Sequence, residues 1–133
     1  KITQKYQQLS GKVIAVWGLT YKQGTSTIRR SASLEICERL ARQGCKIQAY
    51  DPAVKSLPRR WKKYLELCDE PLMALINADG IIVATNLEET KNITPSMIVS
   101  LMRTPLIFDI NRYISHMEED KRIEYVTLGK GSI

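Results

Sequence analysis

Cations and hydroxyl groups are concentrated in one loop near the start of the chain. An apolar segment, residues 12–17, ends at Gly18, and the following loop carries Lys22, Arg29 and the hydroxyl residues 25–27. Lysine offers a compact charge and arginine a forked donor, and both suit phosphate oxygens. In open α/β sheets, ligands bind beyond the carboxyl ends of the strands. The loop therefore indicates an anion site or a stretch of solvated cations, and composition alone favours neither.

The rest of the chain alternates between segments typical of strands and of helices. Apolar runs predict strands at 12–17, 45–50, 80–85, 106–109 and 123–128, and helical spacing predicts helices between Ser31 and Gly44, over 71–77 and over 94–102. Alternation of this kind favours right-handed crossovers and a parallel sheet. The predicted fold is α/β, a three-layer α/β/α domain with a mainly parallel, Rossmann-like sheet of about five strands.

The first strand–helix connection does not support a Rossmann dinucleotide site. That site needs G-x-G-x-x-G directly after the first strand, so that the backbone can approach a pyrophosphate. Here Gly18 stands alone at the turn, and the next glycine is Gly24. Asp51 ends the second strand, where an acidic residue would bind a ribose, but without the glycines it indicates only a strand-end Asp-Pro turn. We therefore expect no NAD site in this domain.

Length and composition fit one globular domain. The chain has 133 residues, of which 44% are hydrophobic, and no apolar run approaches the roughly 18 residues of a membrane span. Cys37, Cys45 and Cys68 are odd in number and lack metal-ligand spacing, which favours reduced thiols in a cytoplasmic protein. His116, the single histidine, lies in a polar segment and is expected to be a surface residue rather than a general base.

The formal net charge of +6 is concentrated in residues 59–63 and 29–30. Trp61 and Tyr64 interleave the first run with aromatic rings, which slightly favours nucleic acid as a partner. A charge run is more often a solvated helix face or loop. An anionic small molecule, or an acidic surface on a neighbouring domain, explains the charge equally well, so binding of nucleic acid is the weaker alternative.

Residues 18–31 resemble the G-L-x-[FY]-K-x-x-T-x-D-x-R-x-S segment of UDP-glucose/GDP-mannose dehydrogenases. That segment opens their C-terminal, nucleotide-binding domain. The similarity continues through residues 49–52, 78–85, 107–109 and 127–130, in the order found in the family. The resemblance therefore covers nearly the whole chain from about Gly11.

The resemblance implies a function for the larger protein. Enzymes of the family oxidise the 6-hydroxyl of a nucleotide sugar to a carboxylate with two NAD molecules, and their NAD-binding domain, catalytic cysteine and dimerising helix precede this segment. Residues 1–10 would then end a connecting helix, and residues 11–133 would form a nucleotide-sugar-binding domain with no catalytic residue of its own. A UDP-sugar is the favoured ligand, NAD would bind the other domain, and the full-length protein would be a cytoplasmic homodimer.

The resemblance also assigns site residues. Tyr21 and Lys22 would contact the nucleotide sugar, with Lys22 near its phosphates. Thr25 and Arg29 would shape and brace the loop, and for Arg29 bracing is at least as well supported as direct contact. Asn111 and Arg112 complete the predicted substrate-nucleotide site, in the turn after the fourth strand.

Several positions depart from the family pattern. Thr27 replaces an aspartate, and residues 85–87 replace T-E-W. In the F-D-G-R turn, Ile110 replaces the glycine, Asn111 stands where the substrate-binding arginine is expected, and Arg112 is displaced by one position. These departures indicate a divergent member with a different nucleotide sugar or, alternatively, a non-catalytic relative that keeps the fold as an interaction or assembly module.

Overall fold

Six parallel strands form a single sheet at the centre of the domain. The computed structural model describes residues 10–19, 32–57 and 59–127. Within these ranges the strands are β1 Val13–Trp17, β2 Lys46–Tyr50, β3 Glu66–Leu67, β4 Gly80–Val83, β5 Leu106–Phe108 and β6 Glu124–Val126. Their order is β3-β2-β1-β4-β5-β6, and every neighbouring pair is parallel. Parallel neighbours require crossover connections, which here cover both faces of the sheet.

Helices and short 3-10 segments provide these connections. The helices are α1 Ala32–Arg42, α2 Arg59–Lys62, α3 Pro71–Leu75 and α4 Pro95–Leu101, and 3-10 helices cover Glu88–Thr90 and Ser115–Glu119. The start of α4 follows its sequence closely. Met97 N donates to Thr94 Oγ1 at 3.2 Å, and Pro95 occupies the first turn, where its missing N–H breaks no helical hydrogen bond.

Each face of the sheet has its own hydrophobic core. In β1, Ile14 and Val16 pack in the cluster that contains Leu34 of α1, whereas Ala15 and Trp17 pack in the cluster on the opposite face. Burial of successive residues on opposite faces explains the continuous apolar run in the sequence. The predicted three-layer α/β/α class is confirmed.

Details of the sheet differ from the prediction. The described residues form six strands rather than about five, because β3 is a two-residue edge strand that is too short to give a periodic signal. The end of β4 is Val83 rather than residue 85. The prediction that Thr94 caps the helix in residues 94–102 is confirmed.

The basic segment 59–63 contains α2, and its tryptophan belongs to the core. Trp61 is 7% exposed and packs with Leu57 and Leu65. The Tyr64 ring lies 6.2 Å from the Trp61 ring and beneath the Arg42 guanidinium, whose central carbon is 5.4 Å from the Tyr64 centroid. The buried Trp61 ring is not available to stack on a base, so the aromatic interleaving does not support binding of nucleic acid.

The free cysteines and the exposed histidine agree with the sequence prediction. All three cysteines are free, and burial raises the pKa of the Cys37 thiol to about 12. His116 is exposed, with its Nε2 atom 3.0 Å from Ile93 O. Among the described residues, no cluster of histidine, cysteine or acidic side chains could hold a metal ion. In the same ranges, no helix has the length and apolar character needed to cross a membrane.

Candidate functional site

The direction of chain progression reverses between β1 and β4. From β1 the chain runs outward through β2 to β3, and it then returns to β4 and continues to β5 and β6. β1 and β4 are direct neighbours, with Trp17 opposite Val83. In doubly wound sheets, ligands bind at such a reversal, in the crevice outside the carboxyl ends of the strands. The residues that follow β1 and β4 therefore define the candidate site, which we call the switch point.

Gly18 brings the two strands together at the switch point. It has φ +105°, and an added Cβ would overlap the Thr85 side chain and lie 2.9 Å from Thr85 N. Gly18 N donates to Tyr50 O at 2.8 Å, which continues the pairing of β1 with β2. Only glycine combines this backbone conformation with this close approach. The start of the cationic loop is thus fixed on both sides, by β2 and by Thr85.

Asp51 anchors Leu19, which follows Gly18 at the start of the cationic loop. Its carboxylate is 3% exposed, and Oδ2 accepts from Leu19 N at 2.7 Å. Oδ1 accepts from Ala53 N at 2.9 Å. The predicted Asp-Pro turn is therefore present, and the carboxylate is engaged by backbone N–H groups of the chain.

A second buried carboxylate organises the turn after β5. Asp109 is fully buried, and its oxygens accept from Tyr113 N at 3.0 Å and Ile114 N at 2.8 Å. The Tyr125 hydroxyl donates to Asp109 Oδ2 at 2.7 Å. Burial and this hydrogen bond raise the pKa of Tyr125. Asp109 thus connects the turn to β6 and fixes the backbone around Asn111.

The turn does not require a glycine at Ile110. Among the described residues other than glycine, positive φ occurs at Asn77 and Arg112, and the value at Arg112 is +59°. The left-handed conformation therefore falls two residues after Ile110, and Arg112 N donates to Asp109 O at 3.2 Å. This explains how isoleucine is accommodated where the family has glycine.

The two predicted site residues of this turn have different environments. Asn111 is exposed. Arg112 forms an ion pair with Glu118 at 2.7 Å, and its guanidinium carbon lies 6.0 Å from the Tyr125 ring centroid. The hydrogen bond to Glu118 raises the pKa of Arg112, so this side chain stays cationic. Tyr21, Lys22, Thr25 and Arg29 lie outside the described residues.

Lys91 adds a cation that the sequence analysis did not single out. This half-buried side chain donates from Nζ to Tyr113 O at 2.6 Å, and Nζ lies 5.7 Å from the Tyr113 ring centroid. Tyr113 directly follows Arg112, so Lys91 comes close to the turn after β5. No local sequence pattern predicts this contact, because it joins residues that are 22 positions apart.

Known proteins resemble this chain in both sequence and fold. The model of the UDP-glucose/GDP-mannose dehydrogenase family, UDP binding domain, matches residues 15–116. A UDP-glucose 6-dehydrogenase of Rickettsia bellii is 33% identical over 129 residues, which are 92% of this chain and 29% of that protein. A UDP-glucose 6-dehydrogenase of Bacillus subtilis is 32% identical over 131 residues, which are 94% of this chain and 29% of that protein.

Two solved structures give the same result at the level of the fold. A UDP-D-ManNAc dehydrogenase from Pyrococcus horikoshii superposes with a TM-score of 0.74 at 27% identity, over 98% of this chain and 29% of that one. An NDP-N-acetyl-D-galactosaminuronic acid dehydrogenase from Methanosarcina mazei has a TM-score of 0.76 at 18% identity, over 96% of this chain and 26% of that one, and supports the fold alone.

The strand order and the switch point define a Rossmann-like α/β domain. The extent of the family match identifies it further: the chain belongs to the UDP-glucose/GDP-mannose dehydrogenase family and corresponds to its UDP-binding domain. The resemblance inferred from the sequence is thereby confirmed. The chain spans less than a third of the length of the relatives described above.

Proposed function

We propose that the switch point binds the nucleotide part of a UDP-sugar. The observation that carries this proposal is the family match over residues 15–116, which runs from β1 through the turn after β5 and so includes every element around the crevice. The surrounding charges support an anionic ligand. Both strand-end carboxylates, Asp51 and Asp109, are buried and hydrogen-bonded, whereas Arg112 keeps an exposed guanidinium.

Individual roles follow from the resemblance and from charge. Lys22 is proposed to contact the phosphates, because an ammonium group suits their oxygens. Tyr21 is proposed to contact the nucleotide sugar, and Thr25 and Arg29 to brace the loop. In the turn after β5, Asn111 would offer an amide to the ligand, and Arg112 could exchange its hydrogen bond with Glu118 for one with a phosphate oxygen.

In the full-length protein, this domain would hold the substrate of an NAD-dependent nucleotide-sugar 6-dehydrogenase. Residues 1–10 would be the end of a connecting helix and residues 11–133 the nucleotide-sugar-binding domain. Oxidation of the sugar 6-hydroxyl to a carboxylate, the catalytic residues and a homodimer interface would belong to the other domains. Three free thiols agree with a cytoplasmic location.

NAD itself does not fit the residues of this chain. A Rossmann site binds the adenosine ribose through a free acidic group at the end of the second strand. Here that group is Asp51, which is 3% exposed and already accepts hydrogen bonds from Leu19 N and Ala53 N. We therefore assign NAD to another domain of the full-length protein, and no step of the reaction is derived from this one.

Amide NMR titration of the isotopically labelled chain tests the proposal. UDP, UDP-glucose, GDP, NAD and pyrophosphate would be added separately. We expect shifts confined to residues 18–31 and the turn at Asn111, with UDP preferred over GDP and pyrophosphate. Shifts of equal size with pyrophosphate would contradict a nucleotide site, because they would require only an anion.

A charge-matched pair of variants sharpens the test. Lys22→Ala should weaken UDP binding about tenfold, because it removes a charge-assisted hydrogen bond to phosphate. Lys121→Ala makes the same charge change at an exposed position before the amino end of β6, away from the carboxyl ends of the strands, and should leave binding unchanged. Equal weakening in both variants would indicate only the effect of net charge and would contradict the assigned role.

A further inference from the structure

One buried oxygen near the switch point has no hydrogen-bond partner. Among the buried side-chain nitrogen and oxygen atoms of the described residues, Asn86 Oδ1 is the one that lacks a hydrogen-bond partner. An amide oxygen that is removed from water without a partner destabilises the folded chain, and native structures rarely contain one. Its presence here therefore requires an explanation.

The position of Asn86 in the fold suggests one. Ala84 N and Thr85 N donate to Trp17 O at 2.9 Å and 3.3 Å, so the pairing of β4 with β1 continues to the residue before Asn86. Thr85 lies against Gly18, and Leu87 is buried in the core. Asn86 is thus held between two anchored neighbours at the carboxyl end of β4, where the strand order reverses.

The chemistry of the atom restricts the group that it can bind. An amide oxygen is a hydrogen-bond acceptor only. Deprotonated phosphate oxygens are also acceptors, so they cannot satisfy it. Within a nucleotide sugar, the groups that can are the hydroxyls of the ribose and the hexose and the imide N–H of the base. All of these are neutral donors.

We propose that Asn86 Oδ1 accepts a hydrogen bond from a neutral donor of the bound nucleotide sugar. This inference rests on the proposed function and adds a specificity-determining residue outside the cationic loop and the turn after β5. The family pattern has glutamate at this position. Asparagine offers an uncharged acceptor there, so it adds no negative charge beside the diphosphate.

Two leucine variants test the inference. Asn86→Leu removes the acceptor and keeps a side chain branched at Cγ, and Asn92→Leu makes the same change at an exposed asparagine in the same connection. We expect Asn86→Leu to raise the Kd for UDP-glucose about 3- to 10-fold, the effect of one lost hydrogen bond, whereas Asn92→Leu leaves it unchanged. Asn86→Ala adds no apolar bulk and serves as a second variant with the same expected increase in Kd.

Thermal unfolding in the absence of ligand provides an independent measurement. Asn86→Leu should keep or raise the Tm, because it removes a buried acceptor that has no partner in the free chain. A lower Tm with an unchanged Kd would mean that the oxygen is bonded in the free protein, and it would overturn the inference.

The choice of ligand identifies the donor. A similar loss for UDP and UDP-glucose would support a donor on the base or ribose, and a loss confined to UDP-glucose would support a hexose hydroxyl. Unchanged Kd values for both ligands in Asn86→Leu and Asn86→Ala would overturn the inference while leaving the proposed function intact. Failure of the wild-type chain to bind either ligand would overturn the proposed function, and this inference with it.

Discussion

Replacement of Gly18 by alanine tests whether the switch point depends on the close approach of two strand ends. The new Cβ would overlap the Thr85 side chain and lie 2.9 Å from Thr85 N, a backbone atom that cannot move without disturbing β4. Gly11 provides a matched control. It also has positive φ, +87° against +105° for Gly18, but nothing lies within 4 Å of an added Cβ.

The two variants separate conformational strain from steric overlap. Placing an alanine in the left-handed region costs about 1–2 kcal/mol, and overpacking a filled site costs about a further 1–3 kcal/mol. We therefore expect Gly11→Ala to lower the free energy of unfolding by about 1–2 kcal/mol and Gly18→Ala by about 2–5 kcal/mol. Adding Thr85→Gly to Gly18→Ala should recover only part of the difference, because Thr85 N remains in place.

Urea denaturation followed by circular dichroism measures all four proteins under the same conditions. Similar m-values would show that the variants unfold from equally compact native states, so that the free energies can be compared. Equal losses in Gly18→Ala and Gly11→Ala would refute the reasoning, since the close approach to Thr85 would then contribute nothing.

Two further predictions concern buried groups away from Gly18. Asp109→Asn should lower the free energy of unfolding by about 2–4 kcal/mol. Three donors converge on the carboxylate, and an amide group would turn a donor towards one of them. A loss below about 0.5 kcal/mol in urea denaturation would contradict this prediction. Cys37, whose thiol has a pKa raised by burial to about 12, should resist iodoacetamide at pH 8 in the folded chain while the partly exposed Cys68 reacts. Mass spectrometry that finds equal labelling of both would show that Cys37 is accessible.

Local sequence signals predicted most of the sheet and the better-defined helix ends. The apolar runs of β1 and β4 are recognisable because both faces of these strands are buried. The start of α4 is recognisable because Thr94 and Pro95 act within one turn of the helix. By contrast, β3 has two residues and is defined by its pairing with β2, which no short window of sequence contains.

The contacts that hold the backbone around the candidate site could not be predicted from local patterns. Asp51 bonds to Leu19 N across 32 positions, and Tyr125 bonds to Asp109 across 16. Trp61 was interpreted within a basic run, but its packing against Leu57 and Leu65 comes from the fold. Family resemblance, rather than periodicity, supplied the loop residues of the candidate site, and their roles stay predictions.

The two strand-end carboxylates are arranged in a way that is compatible with the anionic ligand that we propose. A carboxylate directed into the crevice would repel phosphate, and the repulsion would grow where water is excluded. Asp51 and Asp109 are 3% and 0% exposed and accept hydrogen bonds from the backbone on either side of the crevice. Their charge therefore stabilises the backbone at the carboxyl ends of β2 and β5, while the exposed Arg112 and the half-buried Lys91 supply cations at the turn after β5. An acidic residue at the end of β2, which in a dinucleotide site would bind ribose, is in this way compatible with the proposed binding of a different nucleotide.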